Sequence, residues 1–192
     1  MKFTETPLAG AFVIELTTHN DARGFFARTF CRHEFESHGL KPDIAQSNVA
    51  FNARRGTLRG MHFQFPPRAE TKLVRATRGR ILDVIVDLRP ESTTFLSSFQ
   101  IELSEEDHRA LYVPERFAHG YQTLVDGTET TYQVGEFYAP DAEGGLSPLD
   151  PELGLKWPQP IAEMLEKDRS WPSLRVLRSG IEQRMSILEH AE

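Results

Sequence analysis

The chain has 192 residues, 39% of them hydrophobic and 26% charged, enough to bury a substantial core in a soluble globular protein. Its formal charge of -6 argues against a general nucleic-acid binder, which needs a basic surplus. A single cysteine, Cys31, rules out an intramolecular disulfide and a cysteine zinc cluster.

From the N-terminus, Met1-Lys2-Phe3-Thr4-Glu5 lacks the apolar core of a signal peptide. No stretch approaches the roughly 20 apolar residues that span a bilayer, so a cytoplasmic protein without membrane contact is expected. Short β-rich runs follow at 11–16, 24–30, 58–65, 72–76, 80–88, 95–103, 110–113, 119–125 and 129–137. Asn20-Asp21, Pro66-Pro67, Arg78-Gly79, Arg89-Pro90 and Asp126-Gly127 punctuate them as turns. Many short strands at close spacing predict a mainly-β sandwich or barrel. Residues 81–88 are almost continuously apolar and read as a central strand, interrupted by Asp83 and Asp87. Helices are predicted only at the periphery, at 34–38, 161–167 and 180–189. Proline and glycine thicken from Pro140 to Pro160. That stretch reads as an excursion from the sheet, which leaves one domain over 1–192 with a core of about 1–170 and an extension over 171–192.

The richest segment is Gly56-Thr57-Leu58-Arg59-Gly60-Met61-His62-Phe63-Gln64, with Lys72 ten residues beyond His62. A strand sends alternate side chains to one face, so an unbroken strand would group Leu58, Gly60, His62 and Gln64. Eight of the 22 Lys and Arg fall between Arg54 and Arg80. A locally basic cavity in an acidic protein suits a phosphorylated small molecule better than a polymer.

The spacing around His62 follows the outline of a cupin metal motif, but Gln64 stands where a second imidazole would be. Glu70 and His119 could still complete a site, yet a transition metal wants imidazoles or carboxylates converging on it, and the residues favour a metal-free centre. His62 is then available as a base, since an imidazole exchanges protons near neutrality. Asp83, Asp87 and Asp168 are all candidates to orient it. Tyr132 and Tyr138, six residues apart, share a face if their strand is regular, and a phenol can pass a proton or stack on a flat ring. His119 sits where Val113-Pro114-Glu115-Arg116-Phe117 turns into a strand.

Several motifs occur in a fixed order: Asp21-x-Arg23-Gly24-x-Phe26, Gln46-x-Asn48, Arg59-Gly60-x-His62-x-Gln64 and Lys72-Leu73-Val74-Arg75. Asp83-Val84-x-Val86-Asp87-x-Arg89 and Val113-Pro114-x-x-Phe117-Ala118-His119-Gly120 follow, then Tyr132, Tyr138, Glu143 and Lys167-Asp168. This set resembles the dTDP-4-dehydrorhamnose 3,5-epimerase family, from about the first strand to Asp168. The resemblance implies a cupin-like β-sandwich or jelly roll and epimerisation of a nucleotide-linked 4-keto-6-deoxyhexose with no cofactor. It implies His62 as general base paired with Asp168, Tyr132 as acid on the opposite ring face, and Lys72 at the enolate oxygen with His119 near the sugar. Arg23, Arg59, Gln46 and Asn48 would hold the diphosphate-sugar. Tyr138 would stack on the nucleobase, with Glu143 and Lys167 completing the pocket. It further implies a homodimer whose strands cross between subunits, so that some residues serve the partner's site.

Two departures accompany these matches. Arg28 stands where many members carry a glutamate, and Leu146-Ser147-Pro148-Leu149-Asp150 replaces an apolar-Arg-aromatic-x-Asp pattern. The identity of the sugar and nucleotide, and inversion at C3, C5 or both, are therefore open at this stage. A single-site epimerase on another nucleotide sugar and a metal-dependent cupin enzyme are the alternatives.

Overall fold

A computed structural model describes residues 1–186 of the chain. Among these residues the strands form two antiparallel sheets and a separate ribbon. The six-stranded sheet runs in the order β1 (Lys2–Glu5), β2 (Phe12–Glu15), β10 (Arg109–Val113), β7 (Lys72–Arg78), β12 (Thr128–Val134) and β5 (Gln46–Asn52). The five-stranded sheet runs β13 (Glu143–Gly145), β6 (Leu58–Gln64), β11 (Phe117–Thr123), β8 (Arg80–Asp87) and β9 (Ser98–Ser104). The ribbon pairs β3 (Thr18–Asp21) with β4 (Gly24–Ala27).

Side-chain alternation explains the layering. Val74 and Ala76 of β7, Leu111 and Val113 of β10, Ile81 and Ile85 of β8, and Phe117 and Tyr121 of β11 meet in one buried cluster between the sheets. The intervening residues of β8, Val84 and Val86, point the other way and pack with Met61, Phe63 and Ala118. That outer face is covered by α3 (Leu174–Met185), whose Leu174, Ile181 and Met185 are buried there. Burial on both faces accounts for the nearly continuous apolar run in β8. On the six-stranded sheet, Phe35 of α1 (Arg32–Ser37) covers Phe12, Ile14 and Leu73.

The mainly-β sandwich expected from the sequence is what the chain forms. Several boundaries differ. The run at 129–137 ends as a strand at Val134, so Tyr138 lies in a loop rather than on the face of Tyr132. The helix expected at 161–167 is a single turn, α2 (Glu166–Arg169), preceded by extended chain in which Glu163 accepts a backbone hydrogen bond from Leu58. The helix expected at 180–189 begins earlier, at Leu174, and its residues after 186 lie outside the described ones. Strands β1, β3, β5 and β13 were not expected; β5 matters most, because it carries Gln46 and Asn48.

Candidate active site

One cavity of about 220 Å³ opens between the sheets, lined by residues that include Arg59, His62, Lys72, His119, Tyr132 and Asp168. Arg59 and His62 come from β6, His119 from β11, Lys72 from β7 and Tyr132 from β12. Asp168 arrives from α2, which lies against β6.

The grouping of Arg59 with His62 depends on a break in the strand. His119 pairs with His62 and Tyr121 with Arg59, so β6 carries one residue more than β11 between the two pairs. Gly60 absorbs this bulge with a φ of +122°, and a Cβ there would sit 2.5 Å from the Cα of Gly120. Regular alternation would have put Arg59 on the opposite face from His62. The bulge is the correction to the unbroken strand expected from the sequence.

His62 Nε2 lies 2.7 Å from an Asp168 carboxylate oxygen, and the other oxygen accepts the Gly60 backbone N–H at 3.2 Å. Burial alone would raise the Asp168 carboxyl, but the His62 bond, the charge of a protonated His62 and the Gly60 amide hold it below the usual carboxylate range. Asp168 is 1% exposed, so the imidazole is oriented by a fixed partner. Of the three aspartates open to that role, Asp83 instead bonds His119 Nε2 at 2.7 Å, and Asp87 accepts from Arg89 and Thr94.

Lys72 is buried, with Nζ 3.1 Å from Glu70 Oε1 and 3.4 Å from the His62 carbonyl. Tyr132 enters from the facing sheet. Burial first, then neighbouring Tyr121, raises its phenol above the ordinary value of 10.0, so its proton is retained through neutral and mildly alkaline pH. Among the described residues no three His, Cys, Asp or Glu side chains gather as a metal site would require. Gln64, Glu70 and His119 are each engaged elsewhere: Gln64 in the loop 136–139, Glu70 with Lys72, His119 with Asp83.

A model of the family described as dTDP-4-dehydrorhamnose 3,5-epimerase matches residues 5–176. The chain belongs to this family. It is 40% identical to the dTDP-4-dehydrorhamnose 3,5-epimerase of Methanothermobacter thermautotrophicus, over 91% of this chain and 95% of that protein. Its fold superposes with a TM-score of 0.87 and 41% identity on the Bacillus anthracis dTDP-4-dehydrorhamnose 3,5-epimerase, solved with TDP and PPi bound, covering 90% of this chain and 99% of that one. It also superposes, with a TM-score of 0.84 and 33% identity, on ChmJ of Streptomyces bikiniensis, a 3'-monoepimerase in complex with dTDP-quinovose, covering 92% and 90% of the two chains. The protein is therefore an isomerase with a cupin-like fold, an epimerase of the dTDP-rhamnose biosynthetic type.

In this epimerase a second group of expected residues gathers beside the cavity rather than in its lining. β13 pairs with β6, setting Gly145 opposite His62 and Glu143 opposite Gln64. The Glu143 carboxylate accepts from Lys167 Nζ at 2.6 Å and from the Tyr138 hydroxyl at 3.1 Å. Burial would raise the Glu143 carboxyl, but these two bonds bring it below its usual range. Gln46 accepts the Tyr138 backbone N–H at 2.9 Å, and Asn48 lies opposite Tyr132 on β5. Arg23 is not brought to either group. It sits on the exposed ribbon and pairs with Asp21 at 2.6 Å.

The departures fall away from the cavity lining. Arg28 follows the ribbon near Glu34, 3.9 Å away. In the altered 146–150 segment, Leu146 is core and Asp150 caps the turn at Pro151–Leu153 while accepting the Leu174 N–H. Three contacts of this neighbourhood were not foreseen: Gln64 acts as a strap, Asn52 accepts from Arg59 Nε at 2.8 Å, and Tyr121 accepts from Asn52 Nδ2 at 3.3 Å. Gln64 donates to the carbonyls of Arg68 and Phe137 and accepts the Ala139 N–H at 2.6 Å, fixing the loop that carries Tyr138. The only signal for Asn52 was the alternation of polar residues at 46, 48 and 52.

Proposed function

We propose that this epimerase inverts both C3 and C5 of a nucleotide-linked 4-keto-6-deoxyhexose of the dTDP-4-dehydro-6-deoxyglucose type, with no redox or metal cofactor. The observation that carries the reading is that His62, braced by Asp168, and Tyr132 enter one cavity from opposite sheets. A C4 ketone acidifies the C–H bonds at C3 and C5. His62 takes the proton from carbon, and the electron pair moves onto the ketone oxygen as an enolate. Tyr132 then returns a proton to the same carbon from the other ring face, which inverts it. Exchange with water resets both groups. Lys72, with His119 nearby, supplies fixed positive charge for the developing enolate oxygen.

Binding of the remote diphosphate by Arg59, Gln46 and Asn48 would contribute energy that positions the reacting carbons. Tyr138, exposed beside Glu143 and Lys167, offers a flat ring for the nucleobase. The relative solved with TDP and PPi supports a nucleotide diphosphate ligand. The likeness to a 3'-monoepimerase favours, as a second reading, inversion at C3 alone. NMR of dTDP-4-keto-6-deoxyglucose in deuterated buffer separates the two. Loss of both the C3 and C5 proton signals supports double epimerisation, loss of one makes the enzyme single-site, and loss of neither removes this substrate.

We also propose a homodimer with strand exchange, acting in the cytoplasm. β5 is a sheet edge whose outward Val49 and Phe51 are 64% and 57% exposed, and the ribbon bares Phe25 and Phe26. Arg23, remote from its own cavity lining, would then serve the second copy. A monomer in sedimentation at micromolar concentration would remove this part.

A further inference from the structure

The basic side chains of the cavity are not treated alike. His62 faces Asp168, Lys72 faces Glu70 and His119 faces Asp83, each with a carboxylate partner. Arg59 instead donates from Nε to the Asn52 side-chain oxygen at 2.8 Å, and among the described residues it forms no ion pair. Asn52 is 2% exposed and is itself held on its other side. Its Nδ2 donates to the Tyr121 hydroxyl and to the Thr128 carbonyl, both at 3.3 Å, and the Thr130 hydroxyl donates to Tyr121 at 3.1 Å. The orientation of the amide follows from chemistry, because a guanidinium nitrogen can only donate and so must face the oxygen.

We infer that Asn52, backed by Tyr121 and Thr130, is a positioning residue that fixes the Arg59 guanidinium by a neutral acceptor and leaves its full charge for the diphosphate of the substrate. This rests on the reading of Arg59 as a diphosphate ligand. An aspartate at position 52 would orient Arg59 equally well but would set a full negative charge against its guanidinium. A neutral clamp on Nε keeps both terminal nitrogens free for the planar, two-pronged contact that a phosphate accepts. It also removes side-chain freedom that would otherwise be lost on binding.

The test is a double-mutant cycle read by calorimetry with dTDP. Asn52→Ala should weaken dTDP binding about tenfold, the scale of one hydrogen bond to a charged group. Asn52→Asp should weaken it at least as much although its volume is unchanged. Both losses should vanish in an Arg59→Gln background, where there is no charge to position. The saturating rate of solvent proton exchange should stay within a few fold while KM rises. Equal dTDP affinity in the variants, or a loss that persists without Arg59, would overturn the inference. If the alanine variant does not fold, Asn52→Asp and Asn52→Ser carry the same comparison. A parent chain that fails to bind dTDP would sink the functional reading itself, whereas a parent that binds beside unaffected variants sinks only the role of Asn52.

Discussion

The five-stranded and six-stranded sheets form opposite walls of the same cavity, and their sequences obey different rules. On the five-stranded side, β8 is buried on both faces and β11 is buried along its whole length, so the wall that holds His62 and His119 is set in a buried body. On the six-stranded side, the edge strand β5 reverses the usual polarity. Asn48 and Asn52 lie opposite Tyr132 and Thr128, while Val49 and Phe51 are exposed on the outer face. A strand whose inner face borders a polar cavity carries its polar residues inward and its hydrophobic residues on the outside, where the proposed second copy would cover them. One wall is apolar and buried through its thickness, and the other is polar within and apolar without.

The largest effects should come from removing one proposed proton carrier from each wall. His62→Ala should lower solvent exchange by roughly 100-fold to 10,000-fold, the range of a lost general base, with dTDP affinity within a few fold. Tyr132→Phe should behave differently. Proton abstraction continues at C3 and C5, so deuterium still enters, but delivery from the opposite face fails and inversion falls more than exchange does. Retained turnover in His62→Ala, or a parental rate of inversion in Tyr132→Phe, would show that the walls do not divide the work in this way.

The same contrast explains what could be read from the sequence. The apolar runs of β6, β7, β8 and β11 announced themselves, and with them His62, Lys72 and His119. β5 did not, because its alternation of Gln46, Asn48 and Asn52 with Val49 and Phe51 looks like polar loop until its inward face is known to border the cavity. The union of Arg59 with His62 was hidden by the bulge. Its signal was a pair of glycines, Gly60 and Gly120, that the fold presses together. From the residues alone Asp83, Asp87 and Asp168 were equal candidates beside His62. Apart from the family resemblance, only a contact spanning 106 positions of sequence separates them, and no local periodicity reports a contact of that range.

An intermediate effect is expected where the α2 turn braces His62. Asp168→Asn keeps the shape of the side chain but removes the charge that His62 faces, and it should lower stability at neutral pH by about 2 kcal/mol. The sign of the pH dependence follows from the carboxyl being held below its ordinary value of 3.8. A depressed folded-state value means that the stabilisation is complete above the unfolded value and is lost as pH falls through the folded one. The melting temperatures of parent and variant should therefore differ at neutral pH and converge in strong acid. A gap that stays constant on acidification would mean that packing, and not the ionised pair, sets the contribution of Asp168.

A further effect belongs outside both walls, in the loop that Gln64 and Gln46 hold in place. Tyr138→Ala should weaken dTDP binding by about 1–3 kcal/mol, roughly 5-fold to 150-fold in Kd, as expected for one base stacked on an aromatic ring. The Tyr138 hydroxyl also donates to Glu143, and that bond raises the phenol above its ordinary value. Tyr138→Phe separates the two contributions, since it keeps the ring and deletes the bond. Near-parental affinity in the phenylalanine variant, with loss in the alanine variant, assigns the binding energy to stacking. Equal losses in both would place it in the Tyr138–Glu143–Lys167 chain. The mouth of the cavity would then recognise its ligand through ordered charge, as proposed for Arg59 within it.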